Sequence, residues 1–153
     1  KYWDSERQSP SKKVGMYVSE TYIRVRYGET DQMGYVYYGN YAMYYEVARV
    51  ESLRRLGLTY KELEAMGVMM PVLENHSKFL SAALYDDNLR IVTTIREKPG
   101  VRIKFEYTIF NEAGKLINEG ETLLVFVDKL TGRPCRPPQV FAELLNPYFT
   151  WRV

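Results

Sequence analysis

The chain has 153 residues, with 21 basic and 19 acidic side chains and a formal net charge of +2. This length suits one compact domain, and so balanced a charge gives no support to a nucleic-acid-binding role. One cysteine and one histidine exclude a disulfide framework within the chain, a cysteine-rich zinc site and any site built from two histidines of one chain.

Residues 1–15 are polar and without periodicity, which predicts a flexible N-terminal arm ahead of a single domain over residues 16–153. No run of about 18 apolar residues occurs, so no membrane-spanning helix is predicted. No charged-then-apolar leader opens the chain, and the expected location is therefore cytoplasmic.

Alternation of polar and apolar side chains predicts the strands of a sheet. The predicted strands cover residues 18–27, 72–79, 89–97, 101–110 and 116–128. Short turns join the last three of them. These three strands are therefore expected to be antiparallel neighbours.

The longest helical pattern runs over residues 41–56, where apolar and small side chains recur at three- and four-residue spacing. Asn40 is its predicted N-cap, and Gly57 is the predicted stop. A capping box from Thr59 to Glu62 predicts a short second helix, and a third is predicted over residues 139–145. These elements predict an α+β fold, in which an antiparallel sheet of about five strands wraps round one long central helix.

One motif spans the loop before this helix and the helix itself. Its elements in chain order are Thr30-Asp31, Gly34, Val36-Tyr37, Gly39-Asn40-Tyr41, Glu46, Ala48 and Arg49. The motif resembles the signature of the 4-hydroxybenzoyl-CoA thioesterase-like branch of the hotdog-fold acyl-CoA thioesterases. The later turn at residues 85–87 and the strand end at residues 125–128 are also similar to that family, so the resemblance extends over residues 18–138.

The resemblance implies a hotdog fold and the hydrolysis of an acyl-CoA thioester to a free carboxylic acid and CoA. It implies that Asp31 is the catalytic carboxylate, and that the main-chain N–H of Tyr38 polarises the thioester carbonyl. It implies no metal and no cofactor, with CoA present only as part of the substrate. It also implies self-association to a dimer or tetramer, whose sites use residues of both subunits.

The chemistry at this loop can also be argued from the residues. Thioester hydrolysis needs a nucleophile or an activated water, and free amides at a helix N-terminus can hold the developing oxyanion. An ionised Asp31 could attack the carbonyl to give an anhydride, or could deprotonate a water, and the sequence does not choose between them. A structural alternative is that Asp31 only closes a turn by bonding its own backbone. Gly39 would allow close approach of the backbone to the acyl group.

Further residues are candidates for binding the substrate. The candidate acyl-pocket residues are Tyr35, Val36, Met69, Met70 and Pro71. Tyr35 departs from the smaller apolar residue usual in the family and is expected to narrow the pocket. Arg102 and Lys104 are candidates for contacts to the CoA phosphates, as are Arg133 and Arg136. A solvated basic face is the structural alternative for these four cations.

Other reactive side chains have structural interpretations. Glu29 is expected to be a solvated loop charge, and Glu46 is expected to form an ion pair with Arg49 three residues later. His76 lies on a predicted strand, and nothing places it beside the loop carboxylate, so we do not expect it to be catalytic. Cys135 is expected to be a packed or surface thiol.

Two other functions fit the same fold. One is a non-enzymatic protein that binds acyl ligands, and the other is a thioesterase acting on an acyl carrier protein. A dehydratase would need a histidine paired with a carboxylate, and the one histidine lies in the wrong region. Self-association has a motive apart from the resemblance, because a wrapped sheet retains a free edge and the 14 tyrosines suit a subunit interface.

Overall fold

The computed structural model describes residues 15–149, so the expected N-terminal arm lies, apart from Gly15, outside the described residues. This part of the chain contains seven strands: β1 Tyr17–Arg24, β2 Val68–Met69, β3 Val72–Phe79, β4 Asn88–Ile95, β5 Arg102–Phe110, β6 Leu116–Val125 and β7 Val127–Asp128. The same residues contain three α-helices: α1 Tyr41–Leu56, α2 Tyr60–Ala65 and α3 Gln139–Phe149. Short 3-10 turns occupy Tyr27–Glu29 and Tyr38–Asn40.

The main sheet has five strands in the order β1-β4-β5-β6-β3, and every pairing is antiparallel. Its concave face packs on α1, which gives the hotdog arrangement of a sheet wrapped round a central helix. The predicted α+β fold is confirmed, as is the neighbouring placement of β4, β5 and β6. No helix between residues 15 and 149 is both long and apolar enough to cross a membrane.

The first and the last predicted strands depart most from their predicted bounds. The first ends at Arg24, because residues 27–29 close a 3-10 turn. The last divides at Phe126, which is fully buried and packs on Phe141 with the ring centroids 5.6 Å apart. Its second part, β7, turns away from the main sheet and pairs with β2.

The two ends of α1 are closed in different ways. Gly57 closes the helix as predicted, and its N–H donates to the carbonyls of Leu53 and Arg54 at 3.1 Å. Asn40 occupies the predicted N-cap position, but its side chain accepts no hydrogen bond from an amide of α1. A 3-10 turn precedes α1, and the Asn40 side chain donates to the Glu29 carbonyl oxygen at 2.8 Å instead.

A polar cluster is buried where α1 meets the sheet. The rings of Tyr45 on α1 and Tyr107 on β5 are stacked, with centroids 4.2 Å apart and an interplanar angle of 1°. The Tyr107 hydroxyl donates to Thr122 Oγ1 at 2.9 Å and accepts from Arg49 Nη1 at 3.0 Å. Gly120 lies against the Tyr45 hydroxyl, so closely that a Cβ there would overlap it. These contacts fix the position of α1 on the sheet.

Strand β3 forms one edge of the sheet, and all eight of its residues are exposed. Its apolar side chains include Val72, Leu73 and Phe79, each about half exposed. An exposed strand edge presents unpaired backbone groups and commonly pairs with another chain. The free edge that the sequence predicts is therefore present at β3.

Candidate active site

Asp31 lies at the tip of a small hairpin formed by residues 29–37, here called the Asp31 hairpin. Its two arms are joined by a bridge between Thr30 and Val36, and by the Asp31 N–H, which donates to the Tyr35 carbonyl at 2.7 Å. Gly34 adopts a φ of 84° in the turn, a conformation that favours glycine. The hairpin leads directly into the 3-10 turn that precedes α1.

The two carboxylate oxygens of Asp31 have different surroundings. Oδ1 accepts hydrogen bonds from the amides of Met33 at 2.9 Å and Tyr35 at 3.2 Å. Oδ2 accepts none from any residue between 15 and 149. The turn-closing role and the catalytic role considered for Asp31 are therefore compatible. Oδ1 closes the turn, while Oδ2 remains available to react with a substrate or a water.

Free amides lie at the base of the same hairpin. The Tyr37 amide donates to the Glu29 carbonyl, and the Asn40 amide donates to the Tyr37 carbonyl, both at 2.9 Å. Tyr38 and Gly39 lie between these two residues in the chain, and their amides donate to no group within residues 15–149. The Asp31–Tyr35 pairing lies two residue positions along the hairpin from the Glu29–Tyr37 pairing at this base.

Aromatic rings surround these amides. Tyr38 is 66% exposed, and its ring lies 4.7 Å from that of Tyr37 and 6.4 Å from that of Phe79 on β3. Gly39 is covered by the Tyr37 ring, since a Cβ at Gly39 would lie 2.7 Å from Tyr37 Cε2. A side chain at residue 39 would therefore displace the ring that flanks the free amides.

The other two candidate residues of the hairpin differ in exposure. Tyr35 is exposed and bridges to Leu84. Val36 is buried, with 6% exposure, and belongs to the hydrophobic core. Val36 therefore anchors the hairpin, whereas Tyr35 presents its ring at the surface.

Glu29 was expected to be a solvated charge, and that expectation is wrong. It is 7% exposed, and its carboxylate accepts from the Arg26 amide and guanidinium and from the Tyr44 hydroxyl on α1. Burial raises the pKa of the Glu29 carboxyl, but these hydrogen bonds outweigh burial and lower the pKa below its usual value. The three-residue spacing between Arg26 and Glu29 is a sequence signal that could have predicted their ion pair. No sequence signal could have predicted the contact with Tyr44, which is 15 residues away.

The prediction of an ion pair between Glu46 and Arg49 is also wrong, because the two side chains do not meet. Glu46 is exposed, whereas Arg49 is buried with 6% exposure. Arg49 donates instead to hydroxyl oxygens of Tyr60, Tyr107 and Thr122, at 3.2, 3.0 and 3.4 Å. The guanidinium is thus held by neutral hydroxyls from α2 and the sheet, which α1 alone could not supply.

The structure brings together the candidate acyl-pocket residues that follow α2. Met69, Met70 and Pro71 line one cavity of about 460 Å³. The remaining lining residues are Tyr60, Leu63, Glu64 and Val68. This cavity lies beside the N-terminal end of β3, whereas Tyr38, which directly follows the Asp31 hairpin, contacts Phe79 at the C-terminal end of that strand. Neither Asp31 nor Tyr38 lines this cavity.

Arg102 and Lys104 lie on the face of the sheet opposite to α1. Their neighbours on β5, Ile103 and Phe105, are buried in the core, and side chains alternate between the two faces. Both cations line a groove of about 430 Å³, and Lys104 lies 3.7 Å from the Glu121 carboxylate. No residue of the Asp31 hairpin lines this groove, and the contact of the two cations with CoA stays a prediction.

The remaining candidates lie away from Asp31. His76 is exposed on that same outer face, with its Nε2 atom 3.1 Å from the Glu74 carboxylate. Cys135 is half-buried, and burial, with the Asp128 charge, raises the pKa of its thiol, which disfavours a nucleophilic thiolate. Arg136 is exposed near it. Within residues 15–149, no three His, Cys, Asp or Glu side chains are placed to hold a metal ion.

Comparison with known proteins identifies the family. The model of the thioesterase-like superfamily matches residues 25–145. The acyl-CoA thioester hydrolase YbgC of Escherichia coli O157:H7 is 36% identical over 122 residues, which are 79% of this chain and 91% of that protein.

Solved structures agree with this match. A DHNA-CoA thioesterase from Staphylococcus aureus superposes with a TM-score of 0.80 at 34% identity, covering 86% of this chain and 88% of that one. Protein TT1821 from Thermus thermophilus superposes with a TM-score of 0.79 at 38% identity, covering 84% and 97%. The resemblance carried by the Thr30-to-Arg49 motif is thereby confirmed, and the chain belongs to the thioesterase-like superfamily.

Proposed function

We propose that this chain hydrolyses acyl-CoA thioesters to a carboxylic acid and CoA, with Asp31 as the reacting carboxylate and the Tyr38 amide as the oxyanion donor. Within residues 15–149, Asp31 Oδ2 accepts no hydrogen bond, and the amides of Tyr38 and Gly39, which directly follow the Asp31 hairpin, have no acceptor. This combination is the observation that carries the proposal. The acyl-CoA hydrolase and thioesterase names of the relatives support the same reaction class.

The carbonyl oxygen of the thioester would accept from the Tyr38 amide, with the Gly39 amide beside it. Negative charge develops on that oxygen as the carbonyl carbon is attacked, and preorganised amides stabilise it. The positive end of the α1 dipole acts in the same direction.

Asp31 can supply the attack by either of two balanced routes. In one, Oδ2 bonds to the carbonyl carbon, the C–S bond breaks, CoA leaves as a thiolate that takes up a proton, and water then cleaves the anhydride. In the other, Oδ2 takes a proton from a water whose oxygen bonds to the carbonyl carbon, and that proton passes to the departing sulfur. Both routes use Oδ2 and leave Oδ1 in the turn.

The complete site is proposed to require a second copy of the chain. Antiparallel pairing of two β3 edges would bring the N-terminal end of one strand, beside Met70 and Pro71, towards the C-terminal end of the other, beside Phe79 and Tyr38. The cavity of one protomer would then receive an acyl group held at the amides of its partner. The exposed apolar side chains on β3 support this pairing. Arg102 and Lys104 would contact the CoA phosphates at the outer face.

The proposal is tested by measuring CoA release with a thiol-reactive chromophore. The panel contains acetyl-, hexanoyl-, decanoyl-, benzoyl- and phenylacetyl-CoA, and the hexanoyl thioester of an acyl carrier protein. We expect release from at least one acyl-CoA, together with its free acid in equal amount. Release from the carrier protein alone would support the carrier-protein alternative. Binding without release from any member would support the non-enzymatic alternative.

A cytoplasmic location stays a prediction of the sequence.

A further inference from the structure

We propose that Glu29 is a positioning residue, which holds the Asp31 hairpin against α1 and so fixes the separation between the Asp31 carboxylate and the Tyr38 amide. The inference rests on the proposed function, because it assigns Glu29 a part in the geometry of that same site. It concerns a residue that does not itself contact the thioester.

The Glu29 carboxylate joins the chain before the hairpin to α1. Oε1 accepts from the Arg26 amide at 3.0 Å and from the Tyr44 hydroxyl at 2.7 Å. Oε2 accepts from Arg26 Nε at 2.8 Å. The three donors come from two segments, the chain just after β1 and the first turns of α1. One buried side chain therefore couples the approach to the hairpin with the helix behind it.

The main chain of Glu29 continues this coupling towards the free amides. Its carbonyl oxygen accepts from the Tyr37 amide at 2.9 Å and from Asn40 Nδ2 at 2.8 Å. Tyr38, with the proposed oxyanion donor, lies between those two partners in the chain. Asp31 follows Glu29 by two residues. A displacement of Glu29 would therefore move both halves of the proposed site.

A carboxylate suits this position better than an amide of the same size. All three side-chain partners are donors, and an ionised carboxylate accepts at both oxygens. In Glu29→Gln, the side chain can accept at one oxygen only, and its NH2 group would face a donor. The hydrogen bonds also become weaker because they lose the charge of the carboxylate. Since both oxygens are already occupied, Glu29 acts through its neighbours rather than on the substrate.

The test compares Glu29→Gln with a matched control, Glu51→Gln. Glu51 forms an ion pair of the same three-residue spacing with Arg54, but on the exposed surface of α1. For Glu29→Gln we expect kcat to fall about 10- to 100-fold, with KM changed less than about twofold, because misplaced reacting groups slow chemistry more than binding. We expect both constants of Glu51→Gln to equal those of the unmodified protein.

Tyr44→Phe provides a second variant in case Glu29→Gln unfolds. It removes one donor of the three and retains the ring, so we expect a smaller fall in kcat, about 3- to 10-fold, again without a change in KM. A parallel loss of kcat and thermal midpoint in both variants, with KM raised, would indicate a general structural role and overturn the proposal.

Amide hydrogen exchange gives a readout that is independent of activity. In Glu29→Gln we expect the Tyr37 amide to exchange at least about tenfold faster. We expect the amides of β5 to keep their rates, because only the hydrogen bonds around Glu29 are weakened. If the unmodified protein is inactive but Glu29→Gln shows this exchange pattern, the proposed function is contradicted, whereas the structural role of Glu29 in holding the Asp31 hairpin is supported. Unchanged exchange at Tyr37, or unchanged kcat in an active enzyme, would overturn the positioning role.

Discussion

Asp31 and Tyr35 are hydrogen-bonded to each other in both directions. The Asp31 amide donates to the Tyr35 carbonyl at 2.7 Å, and the Tyr35 amide donates to Asp31 Oδ1 at 3.2 Å. This reciprocal pair closes the Asp31 hairpin and restrains the carboxylate, so that one defined oxygen, Oδ2, has no hydrogen-bond donor among residues 15–149. A catalytic group needs such restraint, because small displacements of reacting atoms are costly.

Alkaline pH should destabilise the protein through its buried tyrosines. Burial is the largest cause that raises the pKa of Tyr17, Tyr41 and Tyr107 to about 12. The corresponding pKa in the unfolded chain is about 10. The folded state therefore holds these protons more tightly, and its advantage is complete below pH 10 and lost as pH rises to about 12.

Urea unfolding at several pH values checks this expectation. The free energy of unfolding should fall between about pH 10 and pH 12. Tyr107→Phe should show a shallower fall, whereas Tyr22→Phe, at an exposed position, should behave like the unmodified protein. Equal slopes for all three proteins would contradict a role for Tyr107.

Gly120→Ala should destabilise the contact between α1 and the sheet. The added methyl group would overlap the Tyr45 hydroxyl, whose ring is stacked on Tyr107 and cannot move freely. Overpacking of this kind costs about 1–3 kcal/mol of unfolding free energy. Gly100→Ala is the control, because no atom lies within 4 Å of the added carbon. Equal stability of the two variants in urea would mean that the Tyr45 contact is looser than described.

Leu73→Lys should weaken self-association. Leu73 is about half exposed on the β3 edge, where a charge would have to be buried between paired strands. Sedimentation of the unmodified protein should give a dimer or tetramer, and Leu73→Lys should shift the distribution towards an 18.0 kDa species. Tyr22→Lys on β1, at the opposite edge, should leave it unchanged. An unmodified protein that sediments at 18.0 kDa at working concentration would exclude the two-subunit site.

Much of the fold could be predicted because its signals are local. The α1 stripe and Gly57 are adjacent in the chain, and the capping box at Thr59 is confirmed, with Glu62 N–H donating to Thr59 Oγ1 at 3.1 Å. Strand alternation likewise needs only neighbouring residues. The motif also identifies Asp31, and the hairpin that carries Asp31 lies just before the 3-10 turn that leads into α1.

The errors concern charged side chains whose partners are distant. Glu29 resembles a solvated loop residue until α1 brings Tyr44 over it. Arg49 appears to have a partner at Glu46 on its own helix, yet the fold supplies Tyr107, 58 residues away. Helical spacing identifies possible pairs, but burial decides which of them form, and burial depends on the assembled sheet.

The most direct test of the central claim is the turnover of Asp31→Asn on an acyl-CoA that the unmodified protein hydrolyses. The asparagine oxygen can still accept from the Met33 and Tyr35 amides, so the hairpin and the thermal midpoint should be retained, while an NH2 group replaces Oδ2, the atom proposed to react. Asp87→Asn is the control, because Asp87 also accepts a backbone amide, that of Leu84 at 2.9 Å. We expect kcat of Asp31→Asn to fall about 100-fold or more and kcat of Asp87→Asn to stay unchanged. Full activity of a folded Asp31→Asn variant would contradict the assignment of Asp31.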